Sequence, residues 1–155
     1  MRRWMLLALF TLAMPALAQA PALQPLAASD IPALLKPPAQ GTRIIAIWAL
    51  DCAYCEANMQ ALAKAVQAQP DYYQLVTVAT DRYALHAQIA ARLKLMHMDG
   101  YPARAYVEAA PEHLNFLLDP QWGGETPRTE VIHADGRRAG ASGELTPARL
   151  QKLLR

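Results

Sequence analysis

The hydrophobic positions of this chain change period several times between Thr42 and Arg155, and each change marks an element. After Arg43, "IIAIWAL" is an unbroken apolar run rich in β-branched residues. A run without polar alternation predicts a strand buried on both faces, in the middle of a sheet. In "CEANMQALAKAVQAQ" the apolar residues Met59, Leu62, Ala63 and Val66 recur at helical spacing among good helix formers, and Pro70 ends the pattern. "YYQLVTVAT" predicts a second strand, and "RYALHAQIAARLKLMHM" a helix with Leu85, Ile89, Leu93 and Met96 on one face, stopped by Asp99 and Gly100. "ARAYVE" follows as a third strand and Pro111 opens a short helix over "PEHLNFLLD". "RTEVIHADG" is a strand running into a turn at Asp135 and Gly136, with a further short strand over Arg138 to Ala141. Thr146 as N-cap and Pro147 at the first helical position start a terminal helix. Alternating strands and helices predict an α/β fold, a central sheet covered by helices on both faces.

The first 20 residues follow a different logic. "MRRWM" is a short basic start, "LLALFTLAMPALA" an apolar core, and the small residues around Ala18 and Ala20 a cleavage site, the three parts of a secretory signal peptide. The apolar core is shorter than the roughly 20 residues a spanning helix needs, and Pro15 interrupts it. Residues 1–20 are therefore expected to be removed on export, and the mature protein to be secreted, in the periplasm. Residues 21–41, rich in Ala, Pro and Leu and closing on "KPPAQG", read as a flexible lead-in, and residues 42–155 as one domain. Export also changes the charge. The chain carries 15 basic and 13 acidic residues, and loss of Arg2 and Arg3 leaves the two signs equal. No basic footprint for nucleic acid remains, and a monomer is expected.

The candidate chemistry lies in "IWALDCAYCEANM", where the only two cysteines, Cys52 and Cys55, stand at the junction of the buried strand and the first helix. A purely structural disulfide there would close almost no loop in the unfolded chain, so it would stabilise little. A structural zinc needs four ligands, and His86, His97, His113 and His133 form no second knuckle. Covalent haem attachment needs a histidine directly after the second cysteine, where this chain has Glu56. Redox exchange fits the position: a cysteine in the first turn of a helix faces unpaired N–H groups and the positive end of the dipole, which favour thiolate. Cys52 would attack, and Cys55, one turn on, would resolve the mixed disulfide.

This segment, in its "W-A-x-x-C-x-x-C" form, resembles the active site of the thioredoxin superfamily, and specifically the periplasmic TlpA/ResA-like thiol-disulfide reductases. The resemblance runs from about Thr42 to Arg155 and implies a thioredoxin fold with a central mixed sheet flanked by helices. It also implies an inserted strand and helix before a cis-proline. "ARAYVE" and "PEHLNFLLD" can fill the insert, and Thr126 and Pro127 in "GGETPRTEVIHADGR" stand where the cis-proline belongs, 72 positions after Cys55. On the same ground Thr126, Pro127, Trp48 and Trp122 fall on the substrate side, where the Thr126 backbone can pair with an incoming peptide. The implied role is reduction of disulfides in exported proteins, with cytochrome c maturation among its settings, no cofactor beyond the Cys52–Cys55 pair, and a membrane thiol as electron donor.

Three positions depart from the family pattern. Asp51, before the first cysteine, opposes a thiolate at Cys52. Gln60 replaces the proline that kinks the active-site helix. Ala46 stands where thioredoxin has a buried acid, leaving proton transfer to Glu56, Glu125 or water. Two other readings stay open at this point: an oxidase or isomerase using the same chemistry at another potential, and a copper-binding chaperone. The soft donors of "LMHMDG" (Met96, His97, Met98) invite the second, although Met96 already belongs to the apolar helix face.

Overall fold

A computed structural model of the chain describes residues 22–108 and 110–155. The expected signal segment, 1–20, lies outside the described residues. Among the described residues six strands form one mixed sheet in the order β1-β4-β3-β2-β5-β6. They are β1 (Gln24–Leu26), β2 (Thr42–Trp48), β3 (Tyr73–Arg82), β4 (Ala103–Tyr106), β5 (Arg128–His133) and β6 (Arg138–Ser142). The helices are α1 (Ile31–Leu34), α2 (Cys55–Ala68), α3 (His86–Leu95), α4 (Pro111–Leu118) and α5 (Pro147–Leu153). Among the described residues no helix is long and apolar enough to cross a membrane.

The apolar run that predicts a central strand is β2, parallel to β3 on one side and antiparallel to β5 on the other. Its side chains alternate between two cores. Ile44, Ala46 and Trp48 face α2, α3 and α5 through Met59, Leu62, Ile89, Leu93 and Leu153. Ile45 and Ile47 face α1, α4 and Trp122 through Ile31, Leu114 and Leu118. Burial on both faces is why the run carries no polar alternation. The cap at the last helix forms as expected, with the Thr146 hydroxyl accepting from the Arg149 N–H at 3.3 Å.

Residues 22–41 are not the flexible lead-in that their composition suggests. Gln24–Leu26 adds to the sheet as an edge strand parallel to β4, and α1 follows, with Leu26 and Ile31 buried in the second core. The inserted β4 supplies the reason, since it stands between β1 and β3 and would otherwise leave its outer backbone groups unpaired. Pro25 is tolerated because β1 is an edge. A strand of three residues has no period from which it could be read.

Candidate active site

The cysteine pair sits where β2 leaves the sheet. The chain turns at once after Trp48: the Cys52 N–H donates to the Ala49 carbonyl at 3.2 Å, and the Leu50 N–H to the Asp81 carboxylate, at the end of β3, at 2.8 Å. Helix α2 begins at Cys55, so Cys52 stands in the turn ahead of the helix rather than within its first turn. The Ala49–Cys52 turn causes this offset, and the Cys55 N–H donates back to the Cys52 carbonyl at 3.4 Å. The two sulfurs are joined in a disulfide, with the α-carbons 5.5 Å apart.

The two cysteines differ in access. Cys55 is 1% exposed and belongs to the α2-side core, whereas Cys52 is only partly buried. A bulky partner can approach one sulfur and not the other. Cys55 is the first residue of α2 and Cys52 lies three positions ahead of it, close to the end of the helix whose unpaired N–H groups favour negative charge. Beneath the cysteines lies Trp48. The resemblance placed it on the substrate side, but at 1% exposure it is sealed in the core next to Cys55 and makes no surface. The alternation of β2 requires this, because Trp48 shares the inward face with Ile44 and Ala46.

Asn58, which the sequence reading missed, fixes the base of the site. It lies three residues after Cys55 on the buried stripe of α2, donating to the Gly143 carbonyl at 2.8 Å and accepting from the Leu145 N–H at 2.9 Å. A polar residue inside an apolar helical stripe is the signal that could have found it. Asn58→Ala strands both backbone groups, one of them fully buried. Unfolding by denaturant is expected to show a loss of about 1–3 kcal/mol; a change below ~0.5 kcal/mol would remove Asn58 from this role. Glu56, one of the proton-transfer candidates, pairs with Arg92 of α3 at 3.3 Å and accepts from Gln60 at 3.2 Å.

The Thr126–Pro127 peptide is cis. Ile47 pairs with Arg128 in the β2–β5 ladder, so the next residues along each strand, Trp48 and Pro127, lie at the same end of the sheet as the cysteine turn. The Pro127 carbonyl accepts from the Gly143 N–H at 2.8 Å, and Asn58 holds the other side of Gly143. The loop leading to the proline is tightly stitched. Trp122 is 5% exposed in the α4-side core, and its indole N–H donates to the Glu125 carbonyl at 2.9 Å, so it holds the loop from within. Gly124 has φ +93°, and a Cβ there would come within 2.7 Å of the Asn115 amide, which excludes larger residues. The Glu125 carboxylate accepts from the Ser142 hydroxyl, a bond that holds its carboxyl below the usual range. It is therefore ionised at neutral pH and poorly placed to donate a proton.

The copper motif is occupied by structure. Met96 and Met98 are buried in the α2-side core, and His97 is exposed in the left-handed region at φ 56°. The His97 N–H reaches the Lys94 carbonyl and the Met98 N–H the Leu93 carbonyl, the paired bonds of a Schellman helix ending. The segment caps α3.

No protein-family model and no curated protein matches the chain. Solved structures do. A thioredoxin-related protein from Neisseria meningitidis serogroup B is 25% identical, with a TM-score of 0.57 over 74% of this chain and 83% of that one. A secreted Mycobacterium tuberculosis disulfide oxidoreductase homologous to E. coli DsbE is 16% identical, TM-score 0.55, over 75% and 82%. StoA from Bacillus subtilis is 16% identical, TM-score 0.53, over 77% and 86%.

Proposed function

We propose that this chain, a thioredoxin-superfamily domain of the TlpA/ResA-like kind, is a secreted periplasmic thiol-disulfide oxidoreductase that reduces disulfides of exported proteins. The difference in access between Cys52 and Cys55 carries the reading. In the reduced protein the Cys52 thiolate attacks one sulfur of a partner disulfide; a Cys52–partner bond forms and the partner's other sulfur leaves as thiolate. The Cys55 thiolate then attacks Cys52 Sγ. The Cys52–Cys55 bond forms, the second partner sulfur leaves, and two electrons have passed to the partner. Thr126 and Pro127 supply the backbone edge along which an extended partner segment lies. The pair is its own redox group, and the chemistry calls for no further cofactor.

Several observations support export. The N-terminal 20 residues have the parts of a signal peptide, and the similar M. tuberculosis protein is described as secreted. An oxidising compartment drains electrons from such a pair, so we infer a membrane thiol donor as partner, with cytochrome c maturation one pathway that needs this reduction.

The test is the reduction potential of the Cys52–Cys55 pair, measured by equilibrating the mature protein against dithiothreitol or glutathione buffers. A value near ~−270 mV is expected. A value near ~−120 mV would overturn the direction and make the protein an oxidant.

A further inference from the structure

We propose that Arg128 is the positioning residue for the substrate-side edge, so that capture of a peptide disulfide depends on it while the chemistry of the cysteines does not. The proposal rests on the reading that the edge at Thr126 and Pro127 receives substrate.

Arg128 directly follows the cis-proline, and its side chain is 12% exposed. Its guanidinium reaches three elements. It donates to the Asp119 carboxylate just past α4, to Glu130 Oε1 on β5 at 2.7 Å, and to the Ser142 hydroxyl on β6 at 3.1 Å. Asp119 opens the loop that Pro127 closes, so this one side chain ties the two ends of the loop together. Ser142 passes the connection on to Glu125, whose carbonyl is held by Trp122. Hydrogen bonds from Arg128 through Ser142 to Glu125, and from Trp122 to Glu125, thus brace the loop between Asp119 and Pro127.

The neighbouring strand is shaped to admit this side chain. A Cβ at Gly140 of β6 would come 2.2 Å from Arg128 Nη2 and 2.4 Å from Glu130 Oε1, so a larger residue there would have to push the guanidinium and the carboxylate from these positions. A planar guanidinium can bond three acceptors fixed in different directions, and a lysine ammonium on a flexible stem cannot hold the same geometry. An edge ordered in advance spares the cost of ordering it when the partner binds. A small disulfide that makes no backbone contact does not use the edge and gains nothing from it.

Two disulfides with the same leaving group separate these effects. Reduced protein is mixed with an extended peptide whose cysteine is blocked by thionitrobenzoate, and separately with 5,5′-dithiobis(2-nitrobenzoate) alone. In each case attack by Cys52 releases thionitrobenzoate, which is followed by its absorbance. For Arg128→Lys, the half-saturating peptide concentration is expected to rise roughly tenfold, with the limiting rate and the rate with the small disulfide unchanged within about twofold. Ser142→Ala removes the hydroxyl that accepts from Arg128 and donates to Glu125 but leaves the Arg128 bonds to Asp119 and Glu130, and is expected to move the same quantity by a smaller factor. Should Arg128→Lys not fold, Ser142→Ala decides alone. The proposal is overturned if both variants bind peptide as the unsubstituted protein does, or if peptide and small-disulfide rates fall together. If the unsubstituted protein shows no saturation with peptide, the substrate-edge reading itself fails and the proposal falls with it.

Discussion

With Cys55 replaced by alanine, the reduced protein is expected to accumulate as a stable mixed disulfide through Cys52, while Cys52→Ser reduces exchange to the uncatalysed rate. Both follow from the different access to the two sulfurs. Cys52 is the sulfur that a partner can reach, and Cys55 lies sealed against Met59 and Trp48 in the core. Cys55 can react only with what Cys52 has already bound. Removing it leaves the first step intact and blocks the second, so the partner stays attached. Intact-mass measurement after incubation with a disulfide peptide would show the adduct, and peptide mapping would place it on Cys52. An adduct on Cys55 in the Cys52→Ser variant, formed as fast as the adduct on Cys52, would show that access does not set the order and would remove the main support for the proposed mechanism.

Much of this site was legible in the sequence because its parts are local. The unbroken apolar run marked β2, the cysteine spacing marked the junction, and the resemblance placed Thr126 and Pro127 where the cis peptide stands. What stayed hidden depends on pairing between distant segments. β1 is three residues long and exists because β4 offers it an edge. Trp48 could be placed next to the cysteines by sequence, but only the alternation of a doubly buried strand decides that it points inward. Cys52 fell outside the helix because a turn bonded to Ala49 and braced by Asp81 comes first. Arg128 carries no signal of its own in the sequence. Its meaning emerges only when Asp119, Glu130 and Ser142, from a loop and two strands, converge on it.

That same cluster should dominate the effect of substitution on stability. Glu130 is buried on β5, with its side chain 3% exposed, and burial pushes its carboxyl up more strongly than Arg128 and Arg138 pull it down. The ion cluster is therefore a poor stabiliser as a whole, yet breaking it is costly. Glu130→Ala leaves the Arg128 guanidinium buried with one acid fewer and opens a void beside it. The expected loss is about 3–5 kcal/mol at neutral pH, read from denaturant midpoints. Glu130→Gln keeps the shape and separates charge from packing. Because the folded pKa of Glu130 lies above its unfolded value, its contribution to stability is full below the unfolded value, ~4.3, and is lost as pH rises through the folded one. Glutamine does not titrate. The stability of Glu130→Gln relative to the unsubstituted protein should therefore improve as pH is raised from about 4 to 7.5, while Glu130→Ala stays the less stable of the two variants throughout. A relative stability that falls over this range would mean that the arginines outweigh burial at Glu130, and an alanine variant within ~0.5 kcal/mol of the unsubstituted protein would mean that the cluster does not hold the loop against the sheet.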